Sequence, residues 1–138
     1  MTITQTPLSR IRVRDVMHTG ILTTDAETPL RTVAGLMARQ HLHAIAVADR
    51  TVAERPYAFV TAIDVARAAA EDTEETAGQA AANRQADVLI LSAEERLADA
   101  ARKFVERGMS HAVVLDARTA HPVGILSTLD VAAAYAGD

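Results

Sequence analysis

The sequence contains no cysteine and no tryptophan, and Lys103 is the only lysine among its 138 residues. Without cysteine the chain has no disulfide, no thiolate nucleophile and no cysteine-ligated zinc or iron–sulfur centre. With Lys103 as the only lysine, Schiff-base chemistry and a phosphate-binding P-loop are excluded at every other position. The lack of cysteine fits a reducing compartment, so we expect the protein to be cytoplasmic.

Aromatic residues and positive charge are also scarce. Aromatics make up 3% of the chain, and 14 basic against 18 acidic residues give a net charge of −4. Nucleic-acid surfaces use aromatic faces for base stacking and positive charge for phosphates, so no nucleic-acid partner is expected. No apolar run approaches the roughly 18 residues that a membrane helix requires, so no membrane association is expected either. The common motifs of nucleotide-dependent, metal-dependent and serine-dependent enzymes are absent, and we expect no enzyme.

A tandem repeat runs through most of the chain, with one residue fewer in a loop of the second copy. The segment Thr28–Gln40 matches Glu95–Arg107, so that Leu30 falls on Leu97. Two further pairs of segments match in the same order: Ala44–Asp49 with His111–Asp116, and Ala58–Val65 with Gly124–Val131. Because predicted strands and predicted helices match together, chance similarity between alanine-rich stretches explains the repeat poorly.

Each copy is predicted to contain a strand, a helix, two strands and a second helix. The first helix of the first copy has apolar residues at helical spacing, including Leu30, Val33 and Met37. The second helix is predicted to begin near Asp64 in one copy and near Asp130 in the other, with these aspartates as N-caps. The predicted strands are Ile21–Thr24, Ala44–Ala48 and Ala58–Thr61, then Val88–Leu91, Ala112–Leu115 and Gly124–Ser127.

The repeat predicts two units, residues 11–70 and residues 77–136, joined by an acidic linker at residues 71–76. The charge run Glu71–Glu75 is expected to be a solvated connection. Short helices within Val13–Met17 and Ala77–Ala86 are expected to be counterparts at the start of each copy.

A Ser/Thr-x-x-Asp pattern stands at the end of the third strand in both copies, as Thr61 with Asp64 and as Ser127 with Asp130. A carboxylate at that place can accept hydrogen bonds from both hydroxyls of a ribose, and the amides of a helix start favour an anion. The same pattern also caps many helices that bind nothing, so the residues alone leave both interpretations open.

The duplicated motifs resemble those of a CBS domain pair, also called a Bateman module. The resemblance covers about residues 11–136 and is carried by Val13–Met17, Phe59–Val65, Gly108–Asp116 and Gly124–Val131. It implies an α/β (α+β) fold of two β-α-β-β-α units packed by their sheets with pseudo-two-fold symmetry, and a homodimer. It also implies a regulatory module that senses AMP, ADP, ATP, NAD or S-adenosylmethionine in the cleft between the units and signals to a partner.

The resemblance also implies the roles of individual residues. Asp64 and Asp130 would hold ribose, and Thr61 and Ser127 would lie near phosphate. The other implied ligand-binding positions are Ile21, Leu22, Thr23, Val88, Leu89 and Ile90 in an adenine slot, with His43 and Ser110 facing phosphate.

Some positions depart from the family pattern. Ala26 and Ala93 stand where many relatives carry proline, and Ala58 replaces the glycine that is kept as Gly124. These departures favour an alternative, a ligand-free structural or protein-interaction module.

The histidines are candidate metal ligands. His41 and His43 form a His-x-His pair, but the only further candidate ligand is His18, so no metal site is expected.

Overall fold

The computed structural model describes residues 7–48, 57–83 and 88–137. A short 3-10 helix at Leu8–Arg10 comes first. The helices are α1 Val13–Val16, α2 Leu30–Gln40, α3 Ala62–Glu71, α4 Ala77–Ala82, α5 Leu97–Arg107 and α6 Thr128–Ala136. The strands are β1 His18–Thr19, β2 Thr23–Asp25, β3 Ala44–Ala48, β4 Tyr57–Thr61, β5 Leu89–Ser92, β6 His111–Leu115 and β7 Pro122–Ser127.

The chain forms two compact units, each with its own sheet. The continuous unit is Ile21–Asp87, and the discontinuous unit joins Met1–Gly20 to Val88–Asp138. The predicted mixed fold and the order strand, helix, strand, strand, helix are confirmed in both copies. The first strands start slightly later than predicted, at Thr23 and at Leu89.

In the continuous unit, β3 is the central strand of the order β2-β3-β4, parallel to β2 and antiparallel to β4. Central strands are covered on both faces, and residues Ala44–Val47 are accordingly all buried. The apolar stripe predicted for α2 faces this core through Leu30, Val33 and Met37. Such burial stabilises the unit by about 1.5–3 kcal/mol for each large aliphatic side chain.

In the discontinuous unit, the sheet order is β1-β7-β6-β5. Leu97, Ala100 and Phe104 of α5 are buried against it, as their spacing predicts. Helix α5 ends at Gly108, whose φ of 62° is a left-handed C-cap that glycine adopts without steric cost.

The short helices α1 and α4 dock in the same manner, and they are counterparts as the repeat predicts. The Val13 amide donates to the Glu95 carbonyl at 2.9 Å, and the Ala77 amide donates to the Thr28 carbonyl at 2.7 Å. Thr28 and Glu95 are equivalent positions of the repeat, so α1 packs on the second copy and α4 on the first. The division into units at residues 11–70 and 77–136 describes the sequence repeat and stays a prediction.

The acidic segment Glu71–Glu75 is only partly the solvated connection that its charge predicts. The Glu75 side chain is 8% exposed and lies 3.0 Å from the Arg67 guanidinium. Hydrogen bonds from Arg67, and then from the Thr73 hydroxyl at 2.6 Å, lower the pKa of Glu75 to about 2. The Glu75 carbonyl also accepts from the Leu30 amide at 2.8 Å, so the segment is fixed to the start of α2.

No helix in the described ranges is long and apolar enough to cross a bilayer.

Candidate ligand-binding site

The Ser/Thr-x-x-Asp pattern forms a capping box in both copies. Thr61 is the N-cap of α3: its hydroxyl accepts from the Asp64 amide at 3.4 Å, and Asp64 Oδ2 accepts from the Thr61 amide at 2.7 Å. Ser127 and Asp130 repeat the arrangement at α6, with distances of 3.2 Å and 2.7 Å. The prediction that the aspartates are the N-caps is therefore wrong. The hydroxyl residue ends the strand in extended conformation, which leaves the aspartate at the third helical position to return the hydrogen bond.

The capping boxes fix one oxygen of each carboxylate. The Thr61 hydroxyl donates to Asp64 Oδ2 and the Ser127 hydroxyl donates to Asp130 Oδ2, both at 3.0 Å. Asp64 is 4% exposed, and the Asp130 side chain is 13% exposed. Each Oδ2 thus accepts two hydrogen bonds from its own cap, which orients the carboxylate at the helix start.

His43 and Ser110 occupy equivalent places beside the two boxes. The His43 carbonyl accepts from the Ala62 amide at 3.0 Å, and the Ser110 carbonyl accepts from the Thr128 amide at 2.9 Å. Both side chains are exposed, and the Ser110 hydroxyl lies 2.9 Å from His111 Nδ1. The structure therefore places His43 with the Thr61–Asp64 box and Ser110 with the Ser127–Asp130 box.

The predicted adenine-slot residues lie at the same end of each sheet as the capping box. Thr23 pairs with Ala46 on one side of β3, and Thr61 pairs with Ala44 on the other side. Neighbouring strands are about 4.8 Å apart, so the outer two lie about 10 Å apart. In the continuous unit, Leu22 and Thr23 are exposed and Ile21 is half-buried.

The discontinuous unit has the same layout. Leu89 pairs with Ala112, and Ser127 pairs with His111, at the corresponding end of the sheet. Ile90 is 46% exposed, whereas Leu89 is buried in the core and Val88 is half-buried. Successive side chains of a strand point to opposite faces of the sheet, so these three residues do not all face the same side.

His18 was missed as a site residue, because the sequence suggested it only as a third metal ligand. The structure places its Nε2 atom 3.1 Å from Asp130 Oδ1. No local signal identifies the pair, since the two residues are distant in sequence. Within residues 7–48, 57–83 and 88–137, no three His, Asp or Glu side chains gather closely enough to hold a metal ion.

Gly124 is required in β7 because the backbone of the neighbouring strand β1 lies very close to it. A Cβ at Gly124 would lie 2.5 Å from the His18 carbonyl oxygen and 2.9 Å from Met17 Sδ. In the described part of the continuous unit, β4 is an edge strand, so Ala58 has no such neighbour in the sheet.

A cavity of about 320 Å³ lies between α2 and α3 in the continuous unit. It reaches the start of α3 at His43 and Ala62, but Thr61 and Asp64 do not line it. A second cavity, of about 360 Å³, lies between the start of α2 and the end of α3 and is bordered by Arg31, Asp72 and Glu74.

Comparison with known proteins supports this architecture. The CBS domain profile matches residues 13–71 and 83–137. A comparison with curated proteins finds no significant match.

Among solved structures, the chain is similar to the CBS domain pair of protein MJ0100 in complex with 5'-methylthioadenosine and S-adenosyl-L-methionine. The identity is 18%, the TM-score is 0.72, and the match covers 92% of this chain and 97% of that one. It is also similar to the CBS domain protein PAE2072 from Pyrobaculum aerophilum complexed with AMP, at 23% identity and a TM-score of 0.71, covering 87% and 89%. A third neighbour is the hexameric CBS-CP12 protein from bloom-forming cyanobacteria, at 21% identity and a TM-score of 0.71, covering 88% and 69%.

These matches agree with the duplicated mixed α and β fold described above, and the profile accounts for most of the sequence. The chain belongs to the CBS domain family and contains two copies of its domain.

Proposed function

We propose that the chain is a regulatory module that binds an adenosine-containing nucleotide at its capping boxes. The observation that carries the proposal is the duplicated Ser/Thr-x-x-Asp box, in which a carboxylate is oriented at a helix start. The protein MJ0100 pair is in complex with 5'-methylthioadenosine and S-adenosyl-L-methionine, and PAE2072 is complexed with AMP. The feature common to these three compounds is an adenine joined to a ribose.

The chemistry of the boxes suits a ribose. With each Oδ2 held by the cap, Oδ1 of Asp64 and of Asp130 is the atom we assign to the sugar hydroxyls, which donate hydrogen bonds. The side chains of His43 and Ser110 stand beside the helix starts, where the helix dipole favours a phosphate. Leu22 and Ile90 supply exposed apolar surface at the same sheet end for an adenine.

CBS domain pairs are typically regulatory modules, and we propose that this one acts on a partner rather than catalysing a reaction. A ligand that binds one conformation better than another shifts the population toward that conformation. The shift changes the protein surface that is available to the partner. We further propose that the protein works as a homodimer in the cytoplasm, as the family resemblance and the lack of cysteine suggest.

The test is a thermal-unfolding screen with AMP, ADP, ATP, NAD and S-adenosylmethionine at 1 mM. A ligand at about 100 times its Kd stabilises the folded state by about 2.7 kcal/mol. We expect at least one compound to raise Tm, and we expect Asp130→Asn to remove most of that shift and Asp64→Asn to remove the remainder. Asparagine keeps an acceptor for the cap but loses the charge, so folding should persist.

Asp116→Asn is the matched control. The Asp116 carboxylate also accepts two backbone amides, from Arg118 at 2.8 Å and Thr119 at 3.0 Å, but it lies in a turn away from the boxes. Its loss should lower stability without altering any ligand-induced shift. If none of the five compounds raises Tm, the proposal is wrong.

Two observations favour the alternative, a ligand-free interaction module. His18 already pairs with Asp130, and Ile63, Leu129 and Tyr135 are 70%, 78% and 75% exposed, as protein-binding surfaces often are. Under this alternative all five compounds leave Tm unchanged, and Leu129→Ser or Tyr135→Ser weakens association with a protein partner.

A further inference from the structure

The second capping box contains a partner from a distant part of the chain. His18 Nε2 lies 3.1 Å from Asp130 Oδ1, while Asp130 Oδ2 is taken by the amide and the hydroxyl of Ser127. The His18 side chain is 79% exposed and the Asp130 side chain 13% exposed. An exposed imidazole thus lies beside a largely buried carboxylate oxygen.

The backbone fixes His18 in this place. His18 pairs with Ile125 and Thr19 pairs with Gly124, and the Gly20 amide donates to the Val123 carbonyl at 2.7 Å. The absence of a side chain at Gly124 lets the His18 backbone approach β7 closely. The histidine is therefore presented to Asp130 by an ordered strand.

This geometry limits what a ribose can reach. Ser127 takes two of the roughly four lone-pair sites that a carboxylate offers, both on Asp130 Oδ2, and the His18 imidazole stands at the other oxygen. A ribose diol donates two hydrogen bonds, so a two-point grip on Asp130 requires His18 to give up Oδ1.

We propose that His18 competes with the ribose hydroxyls for Asp130 Oδ1 and thereby sets the ligand affinity of the Ser127–Asp130 box. The inference rests on the proposed function, because it concerns the same site. It assigns to His18 the role of an internal competitor at the Ser127–Asp130 box.

The size of the effect follows from the exposure of the pair. A polar contact with one largely exposed member contributes little, so its removal should tighten ligand binding by about two- to fivefold. The capping box of α6 is formed by Ser127 and Asp130 without His18. Replacing the His18 side chain by alanine should therefore leave α6 intact.

Isothermal titration calorimetry with AMP and with S-adenosylmethionine on the full chain tests the proposal. Asp64→Asn serves as the background, so that only the second box binds. We expect His18→Ala to lower Kd about two- to fivefold. His18→Gln keeps a neutral amide donor and should give a Kd between that of the background and that of His18→Ala.

Two controls accompany the titrations. His121→Ala removes an imidazole from a turn outside the boxes and should leave Kd unchanged. Asp130→Asn should abolish binding in the background and with His18→Ala alike. Thermal unfolding of each variant establishes that it is folded.

Tighter binding by His18→Ala supports the proposal, as does binding that appears only in that variant. Weaker binding would make His18 a ligand contact, and an unchanged Kd would make it irrelevant; either result overturns the inference while the proposed function stands. If no compound of the screen binds to the wild type or to any variant, the inference about His18 and the proposed function are both wrong.

Discussion

Replacing Gly124 by alanine should destabilise the discontinuous unit, and the structure gives the reason. The new Cβ would lie 2.5 Å from the His18 carbonyl oxygen, well inside the 3.0 Å below which real Cβ atoms essentially never approach another atom. Backbone atoms cannot rotate away as side chains do, so β1 has to move from β7. Overpacking of this kind costs about 1–3 kcal/mol, and each lost β1–β7 hydrogen bond adds about 1 kcal/mol.

We expect a loss of about 2 kcal/mol in the free energy of unfolding, and a fall in Tm of roughly 5–10 °C for a chain of this size. Denaturant unfolding and calorimetry measure the two quantities. Gly35→Ala is the matched control: its Cβ meets only the flexible Arg39 guanidinium, at 3.2 Å, and it lies inside α2. That variant should gain about 0.5–1 kcal/mol, because alanine is the better helix former.

The decisive result is a change in the free energy of unfolding of opposite sign for the two variants, a loss for Gly124→Ala and a gain for Gly35→Ala. A Gly124→Ala protein as stable as wild type within about 0.5 kcal/mol would refute the close approach of β1, and with it the placement of His18. Ala58→Gly tests the reverse substitution at the equivalent position. It should cost only about 0.5–1 kcal/mol, the general effect of glycine in a strand.

The remaining predictions concern the charged segment and the caps. The folded-state pKa of Glu75 is about 2, below its ordinary value of 4.5, so its pairing with Arg67 contributes stability above pH 4.5 that is lost as the pH falls toward 2. Glu75→Gln should therefore be less stable than wild type at pH 7, with the difference shrinking across that window in urea titrations; a constant difference would contradict the assignment. Ser127→Ala removes the N-cap of α6 and should lower the free energy of unfolding by about 0.5–2 kcal/mol, with Ser127→Thr as the control that keeps it. An alanine variant as stable as the threonine variant would show that the cap does not stabilise α6.

The local features of the fold could be predicted from the sequence. The repeat placed the helices and strands of both copies, because helical spacing and short apolar runs are properties of neighbouring residues. The capping pattern is also visible in the sequence, since its two residues are three apart, although the sequence favours Asp64 and Asp130 as the caps instead of Thr61 and Ser127. Geometry decides that assignment: the cap is whichever residue leaves the strand in extended conformation.

The sequence by itself therefore determined the repeated elements other than β1, their duplication and the residues of both boxes, because these depend on contacts between near neighbours. Only the tertiary structure decided that α1 and β1 pack on the second copy, that Gly124 is needed there, and that His18 reaches Asp130. These contacts join the beginning of the chain to its end, and no periodicity or motif records a pairing between segments so far apart. Packing of β1 against β7 sets them, and that packing exists only once the sheet has formed.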